Sequence, residues 1–224
     1  MPRLPASSQA KKVERFLTRH QPLQKLYAED HAFWKHELIK NKGKYFPPNA
    51  FRPENSSLLL HEVAVQTGVK PKPREKVDEW LSRALNGKNV CVLGTRYGLL
   101  NKIFELFGAK TYGVDVDENA VKKSLERGLN VKRVEVADLP KAFPNEKPDF
   151  IVSLQFLDPL YWNSWQCIWN IPKTIKGIVG HTTNETIHVH DTTCLPPIKL
   201  DGLTQTKQMV SKEELPSYIT VLKK

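Results

Sequence analysis

At 224 residues, 40% hydrophobic and 26% charged, the chain can bury a real core, as one domain with an extension or as two small domains of an ordinary soluble class. Cys91, Cys167 and Cys194 lack pairing spacing and exclude a disulfide framework; MPRLPASSQAKK lacks a secretory leader's apolar stretch, and no run nears the roughly 18 apolar residues of a membrane span, so a cytoplasmic protein without a membrane partner is expected. The net charge of +10 is uneven, because residues 1–88 hold 17 Lys/Arg against 9 Asp/Glu while residues 89–224 hold 17 against 15.

The first 88 residues read as a basic helical extension. Ser8 is a cap for a helix through about His20, and Asp30 for a second that runs past Trp34 and Leu38 toward Gly43. YFPPNAFRPENSS reads as a loop, since its prolines remove backbone donors. A third helix is expected over Leu58 to Gln66. A fourth starts near Pro73, sets Val77, Trp80, Leu81, Ala84 and Leu85 on one face, and ends at Gly87. The positive charge of this part is spread over helices rather than packed in a block, so it reads either as a solvated face or as a surface for nucleic acid.

From residue 89 to 224 the pattern becomes strand, turn, helix. NVCVL (Asn89 to Leu93) is a short apolar strand followed by a helix from Leu99 to Phe107; Thr111 to Val114 is a second strand, and Asp117 caps a helix running to Arg127. Val131 to Val136 and Phe150 to Leu154 are the third and fourth strands. Beyond them the sequence predicts a helix at Pro159 to Trp169, strands at Lys176 to Gly180 and Thr186 to His190, a short capped helix at Ser211 to Glu214 and a last strand at Ser217 to Leu222. Alternating strands and helices imply right-handed crossovers and a doubly wound, mostly parallel α/β sheet.

In such a sheet ligands sit outside the carboxyl ends of the strands, where the strand order reverses. The turn after the first strand reads Gly94-Thr95-Arg96-Tyr97-Gly98; its glycines let backbone pass close to a ligand, and the next helix presents free N–H groups. Asp115 ends the second strand, where a carboxylate can accept from two ribose hydroxyls, and Ala137-Asp138-Leu139 follows the third, where an acid can accept from an adenine amino group. The three loops together specify a nucleotide site far better than any one of them. A dinucleotide fingerprint would need glycine at 94 and 96 and Gly or Ala at 99, which Arg96 and Leu99 break.

On these residues, the stretch from 90 to 158, and more loosely the rest to 224, resembles the class I S-adenosylmethionine-dependent methyltransferases. The resemblance implies S-adenosylmethionine as cofactor, methyl transfer to an acceptor the sequence does not name, and cofactor contacts at Gly94, Arg96, Gly98, Asp115, Asp138, Leu139 and Ser153, the last within the fourth-strand stretch DFIVSLQ. The family's glycine loop is G-x-G-x-G, and here Arg96 takes the middle place. Two readings of it stand. Its guanidinium pairs with the methionyl carboxylate, or it fills the pocket and marks a non-catalytic, methyltransferase-like binding protein.

Two further clusters compete for attention. Asp158-Pro159-Leu160-Tyr161 resembles the D-P-P-Y motif of methyltransferases acting on base amines, but it follows its strand late and has Leu160 for the second proline. The alternative is a proline-started helix with Tyr161 and Trp162 against the core or the substrate. Asp158, Tyr161 and Trp162 are thus the substrate-side candidates. His181, His188, His190, Asp191 and Cys194 are the densest potential metal ligands, with His188 and His190 on one strand face. They lack a second close ligand pair, and no metal is expected. Cys91 reads as a buried strand residue.

Overall fold

The computed structural model describes residues 8–40, 53–154, 171–192, 200, 202–210 and 218–224. Four helices come first: α1 (Ser8–Arg19), α2 (Gln21–Lys40), α3 (Pro53–Gln66) and α4 (Val77–Leu85). In α1, Ala10, Val13 and Leu17 share one face and are buried, as a helical period requires. α2 begins nine residues before the expected cap at Asp30. The His20 ring accepts from the Leu23 N–H at 3.4 Å, and Pro22 fits the first turn, so the start is set there and Asp30 is buried inside the helix. α3 likewise opens earlier, at Pro53, so part of the proline-rich segment is helical; α4 opens later, at Val77 rather than near Pro73.

The sheet follows, with β1 (Asn89–Leu93), α5 (Leu99–Leu106), β2 (Lys110–Asp115), α6 (Glu118–Glu126), β3 (Asn130–Arg133), a 3-10 turn at Val136–Asp138, α7 (Leu139–Ala142) and β4 (Phe150–Leu154). Then come α8 (Ile171–Gly180), β5 (Ile187–Thr192), β6 (Thr204–Val210) and β7 (Tyr218–Lys223). The strand order is β3-β2-β1-β4-β5-β7-β6, parallel from β3 to β5, with β7 antiparallel to both β5 and β6. The order reverses between β1 and β4. The fold is therefore the expected doubly wound, mostly parallel α/β sheet.

Alternate strand residues bury against two layers. Val90, Val92, Phe150, Val152, Val189 and Ile219 share one core cluster with the buried residues of α1 through α5. Cys91, Leu93, Val114, Ile151 and Leu222 share the other with Leu139 of α7 and Ile178 of α8. The N-terminal helices thus form one side of the sandwich.

Two local expectations in the sheet fail, and one strand was not expected. Lys176 to Gly180 is the end of helix α8, not a strand: β4 and β5 are parallel, and joining parallel neighbours requires a crossover, which overrides the strand preference of a β-branched run. β3 stops at Arg133 because β2 ends at Asp115; Val134 N–H makes a last bond to Asp115 O at 3.1 Å before the chain turns into α7. The polar β6 (TQTKQMV) went unrecognised. The expected helices at 159–169 and 211–214 lie outside the described residues. Among the described residues no helix is long and apolar enough to cross a membrane.

Candidate functional site

The candidate site lies at the carboxyl ends of β1, β2 and β4. After β1 the chain folds back over β2, with the N–H groups of Gly94 and Thr95 both donating to Val114 O, at 3.0 and 3.2 Å. That close approach depends on Gly113, where a Cβ would lie 2.4 Å from Val92 O and 2.4 Å from Thr95 Cγ2. Gly98 caps α5 with φ of 80°, and a Cβ there would sit 2.0 Å from Leu129 Cδ1. Both position and conformation demand glycine.

Asp115 organises the loop. Its Oδ2 accepts from the Arg96 N–H at 2.8 Å and its Oδ1 from the Asp117 N–H at 3.0 Å. Each oxygen has two lone pairs, so one on each oxygen is still open to a ligand hydroxyl. The side chain is half-buried. Burial raises its carboxyl above the usual range, against the pull of those two N–H donors and of the Arg96 charge.

Arg96 stands in the left-handed region, with φ of 48°. An L side chain there is strained by roughly 1–2 kcal/mol, and such strain persists only where surroundings enforce it. The enforcement is visible. Ser124 Oγ donates to Arg96 O at 2.8 Å, and the next carbonyl, that of Tyr97, accepts from the Arg127 guanidinium. Arg127 also pairs with Asp30 of α2 at 2.7 Å and with Glu29 at 3.0 Å, its side chain only 8% exposed. Charge-assisted bonds thus tie the glycine loop to α6 on one side and to α2 on the other.

A cleft opens between this loop, α2, α3 and the end of β4, bordered by Asp30, Ser56, Thr95, Arg96, Leu99 and Leu154. It lies over the reversal of strand order.

The remaining expected residues are placed as follows. Asp138 ends the 3-10 turn, half-buried, and pairs with Lys141 at 2.9 Å. Leu139 is fully buried in the core, with no exposed side chain to meet a ligand. The turn is held by α8, where a Cβ on Gly177 would collide with Val136 O at 2.2 Å. Ser153 is buried, its hydroxyl sharing a hydrogen bond with His190 Nδ1 at 2.9 Å. Asp158, Tyr161 and Trp162 lie outside the described residues.

In sequence, no family model and no curated protein matches the chain. In structure, the magnesium protoporphyrin IX methyltransferase of Synechocystis PCC 6803, solved with bound S-adenosylmethionine, matches over 98% of this chain and 98% of its own, with a TM-score of 0.53 at 11% identity. The chain has the class I methyltransferase fold. The ribosomal protein L11 methylase of Lactobacillus delbrueckii subsp. bulgaricus is similar over 76% of this chain and 80% of its own, with a TM-score of 0.49 at 14% identity.

Within the methyltransferase fold, the structure brings Gly94, Arg96, Gly98 and Asp115 into one loop assembly, while Ser153 and Leu139 sit in the interior. Sequence reasoning missed Asp30, Ser56, Arg127 and Gly113. The first two lie on N-terminal helices whose docking no local pattern announces, and Arg127 reads as an ordinary basic residue at a helix end. Gly113 carried a signal, being a glycine inside a strand.

The histidines are inside the fold. His188 and His190 do face one side of β5, their ring centroids 5.6 Å apart, with His188 Nε2 3.0 Å from Thr182 Oγ1. Burial lowers the pKa of His188 to about 4 and pushes His190 well below the ordinary histidine value. His181 Nε2 bonds Tyr112 OH at 2.8 Å. Among the described residues no three His, Cys, Asp or Glu side chains gather as a metal set. Cys91 is buried, and burial raises its thiol far above reactive values.

Proposed function

We propose that the chain binds S-adenosylmethionine at the ends of β1, β2 and β4 and transfers its methyl group to an acceptor. The observation that carries this reading is Asp115, a half-buried carboxylate at the end of β2 that bonds the glycine loop through one lone pair on each oxygen and keeps two for ribose hydroxyls. The residues fit the group. Gly98 and Gly113 bring the loop backbone close, α5 starts without a side-chain cap, so its first N–H groups face the cleft, and Asp138 stands beyond β3 on the adenine side.

When bound, the sulfonium supplies an electrophilic methyl for in-line displacement, and the protein's part is alignment. In this chain alignment falls to the rigid loop. Arg127, Ser124 and Asp115 fix Arg96 and Tyr97 in place before any ligand arrives. No described residue needs to act as a base unless the acceptor must lose a proton.

For the acceptor, the basic N-terminal part favours an anionic molecule. The outward face of α1 exposes Lys11, Lys12, Arg15 and Arg19, and Lys11, Arg15 and Arg19 form a row of like charges four residues apart that weakens the helix itself. Nucleic acid is the partner that row suits.

Calorimetry of the full chain with S-adenosylmethionine, S-adenosylhomocysteine and NAD tests the cofactor. Binding of both methionine-derived ligands and not of NAD is expected; tighter binding of NAD, or no binding of either, refutes it. Homocysteine-derivative binding without methyl transfer to any nucleic acid or protein would favour a non-catalytic binding protein, the reading in which Arg96 marks a site that has lost turnover.

A further inference from the structure

The loop between α3 and α4 carries the run Val69-Lys70-Pro71-Lys72-Pro73-Arg74-Glu75-Lys76. Its four cations fall on alternate residues and are all exposed, and among the described residues none of them is in an ion pair. The backbone beneath them is fixed. Glu75 N–H donates to Lys72 O at 3.2 Å and closes a turn with Pro73 at its second position and Arg74 at its third. The Glu75 carboxylate accepts from the Lys72 N–H at 2.7 Å and from the Arg83 guanidinium at 2.7 and 2.9 Å. Arg83 also donates to Lys70 O at 3.0 Å, and the buried Trp80 indole donates to Val69 O at 2.8 Å. The one acid of the run is thus occupied by the loop's own scaffold, while Asp78 and Glu79 follow in the first turn of α4 and offset that helix's positive end.

Arg74 has φ of 61°, the left-handed region that glycine favours at this position of a turn. A chain that keeps arginine there holds strain in order to present a charge, and strain enforced by so many bonds marks a functional segment. Four evenly spaced cations on a stiff loop suit a polymer of evenly spaced negative charge. Apart from two prolines the exposed residues of the run carry no apolar side chain, so the loop lacks the apolar centre that a protein partner would bury. Phosphates require no such centre, since Lys and Arg contact their oxygens directly.

We infer that the α3–α4 loop is a phosphate clamp for nucleic acid, holding the backbone of a strand without reading its sequence. It rests on nucleic acid as the acceptor class proposed above and deepens that reading, by adding to the α1 row a second, rigid surface away from the cofactor cleft. Ser56 of α3 borders the cleft, and Gln66, where α3 ends, lies ten residues further along, about 15 Å of helix. The loop therefore sets where a long strand lies on the protein, and a single nucleotide in the cleft does not reach it.

The test follows the fluorescence anisotropy of a mixed-sequence single-stranded RNA of about 20 nucleotides with the full chain, from about 50 to about 200 mM salt. Each phosphate contact on a single strand contributes about 0.7 to the slope of log affinity against log salt. Lys70→Gln, Lys72→Gln and Lys76→Gln together should therefore flatten it by about 2, and each alone by about 0.7. Arg74→Lys should keep the slope, whereas Arg74→Gly should lower it by about 0.7 and raise the urea midpoint as the turn relaxes. An unchanged slope in the triple variant overturns the inference and leaves the α1 row standing. No binding by the wild-type chain overturns the nucleic-acid reading with it, and a parallel titration with S-adenosylhomocysteine shows separately whether the cofactor reading survives. Polyglutamate that binds as tightly as RNA of equal length, with the same loss in the triple variant, overturns the inference in favour of an acidic protein.

Discussion

At the residue scale the proposed cofactor site turns on Asp115 and Arg96. Asp115→Ala should weaken S-adenosylhomocysteine binding by about 1–3 kcal/mol, since two ligand hydroxyls lose their acceptor; unchanged affinity would mean the ribose lies elsewhere. The same carboxylate gives a pH signature. Its pKa is raised in the folded chain, and ribose hydroxyls need the ionised form, so affinity should fall on acidification and begin to fall above the usual carboxylate range. Asp115→Asn should remove that dependence. Arg96→Gly separates strain from charge: with φ of 48° relieved, the chain should gain about 1 kcal/mol in denaturant unfolding. If the guanidinium holds the methionyl carboxylate, affinity should drop by about tenfold, and a rise in affinity would instead show that the side chain fills the pocket. The sequence puts Arg96 in the turn after β1 and Asp115 at the end of β2, and the structure has them there. It does not show that the backbone N–H of Arg96, rather than its charge, is what Asp115 binds.

Elements were legible where period and punctuation agree. The glycine turn, the Asp117 cap whose carboxylate accepts from the Ala120 N–H at 2.8 Å, and the apolar strands β1, β2 and β4 all follow from local rules. Elsewhere the sheet decided. IKGIVG forms the end of α8 because its neighbours are parallel strands, and β6 pairs only because β7 offers an edge, which its polar residues do not announce. α2 was misplaced because a capping acid, Asp30, proved to be a buried ion-pair partner. One glycine tests how far the loop depends on its support. Gly113→Ala drives a methyl against Val92 O and Thr95, so it should destabilise the chain by about 1–3 kcal/mol and weaken ligand binding as well. Loss of stability alone, with affinity intact, would show that the loop holds its shape without that close approach.

Over the whole molecule, the N-terminal helices are joined to the sheet through one hydrophobic cluster and through Arg127, so the cleft at the glycine loop is walled by both halves of the chain. The buried histidines set a limit on the stability of that assembly. His188 is neutral in the fold down to about pH 4, while in the unfolded chain it protonates near pH 6.5. The unfolded chain therefore binds more protons between those values, and stability should fall as pH drops through the window, by on the order of 1 kcal/mol per unit. His188→Gln should flatten that part of the urea midpoint's pH profile; an unaltered profile would assign the acid sensitivity elsewhere. The central claim, as proposed, is that this methyltransferase fold holds its cofactor across the reversal of strand order with the ribose on Asp115 at the end of β2. A crystal structure of the full chain with S-adenosylhomocysteine measures it most directly. The account predicts both ribose hydroxyls within hydrogen-bond distance of Asp115, and a ligand bound away from Asp115 would contradict it.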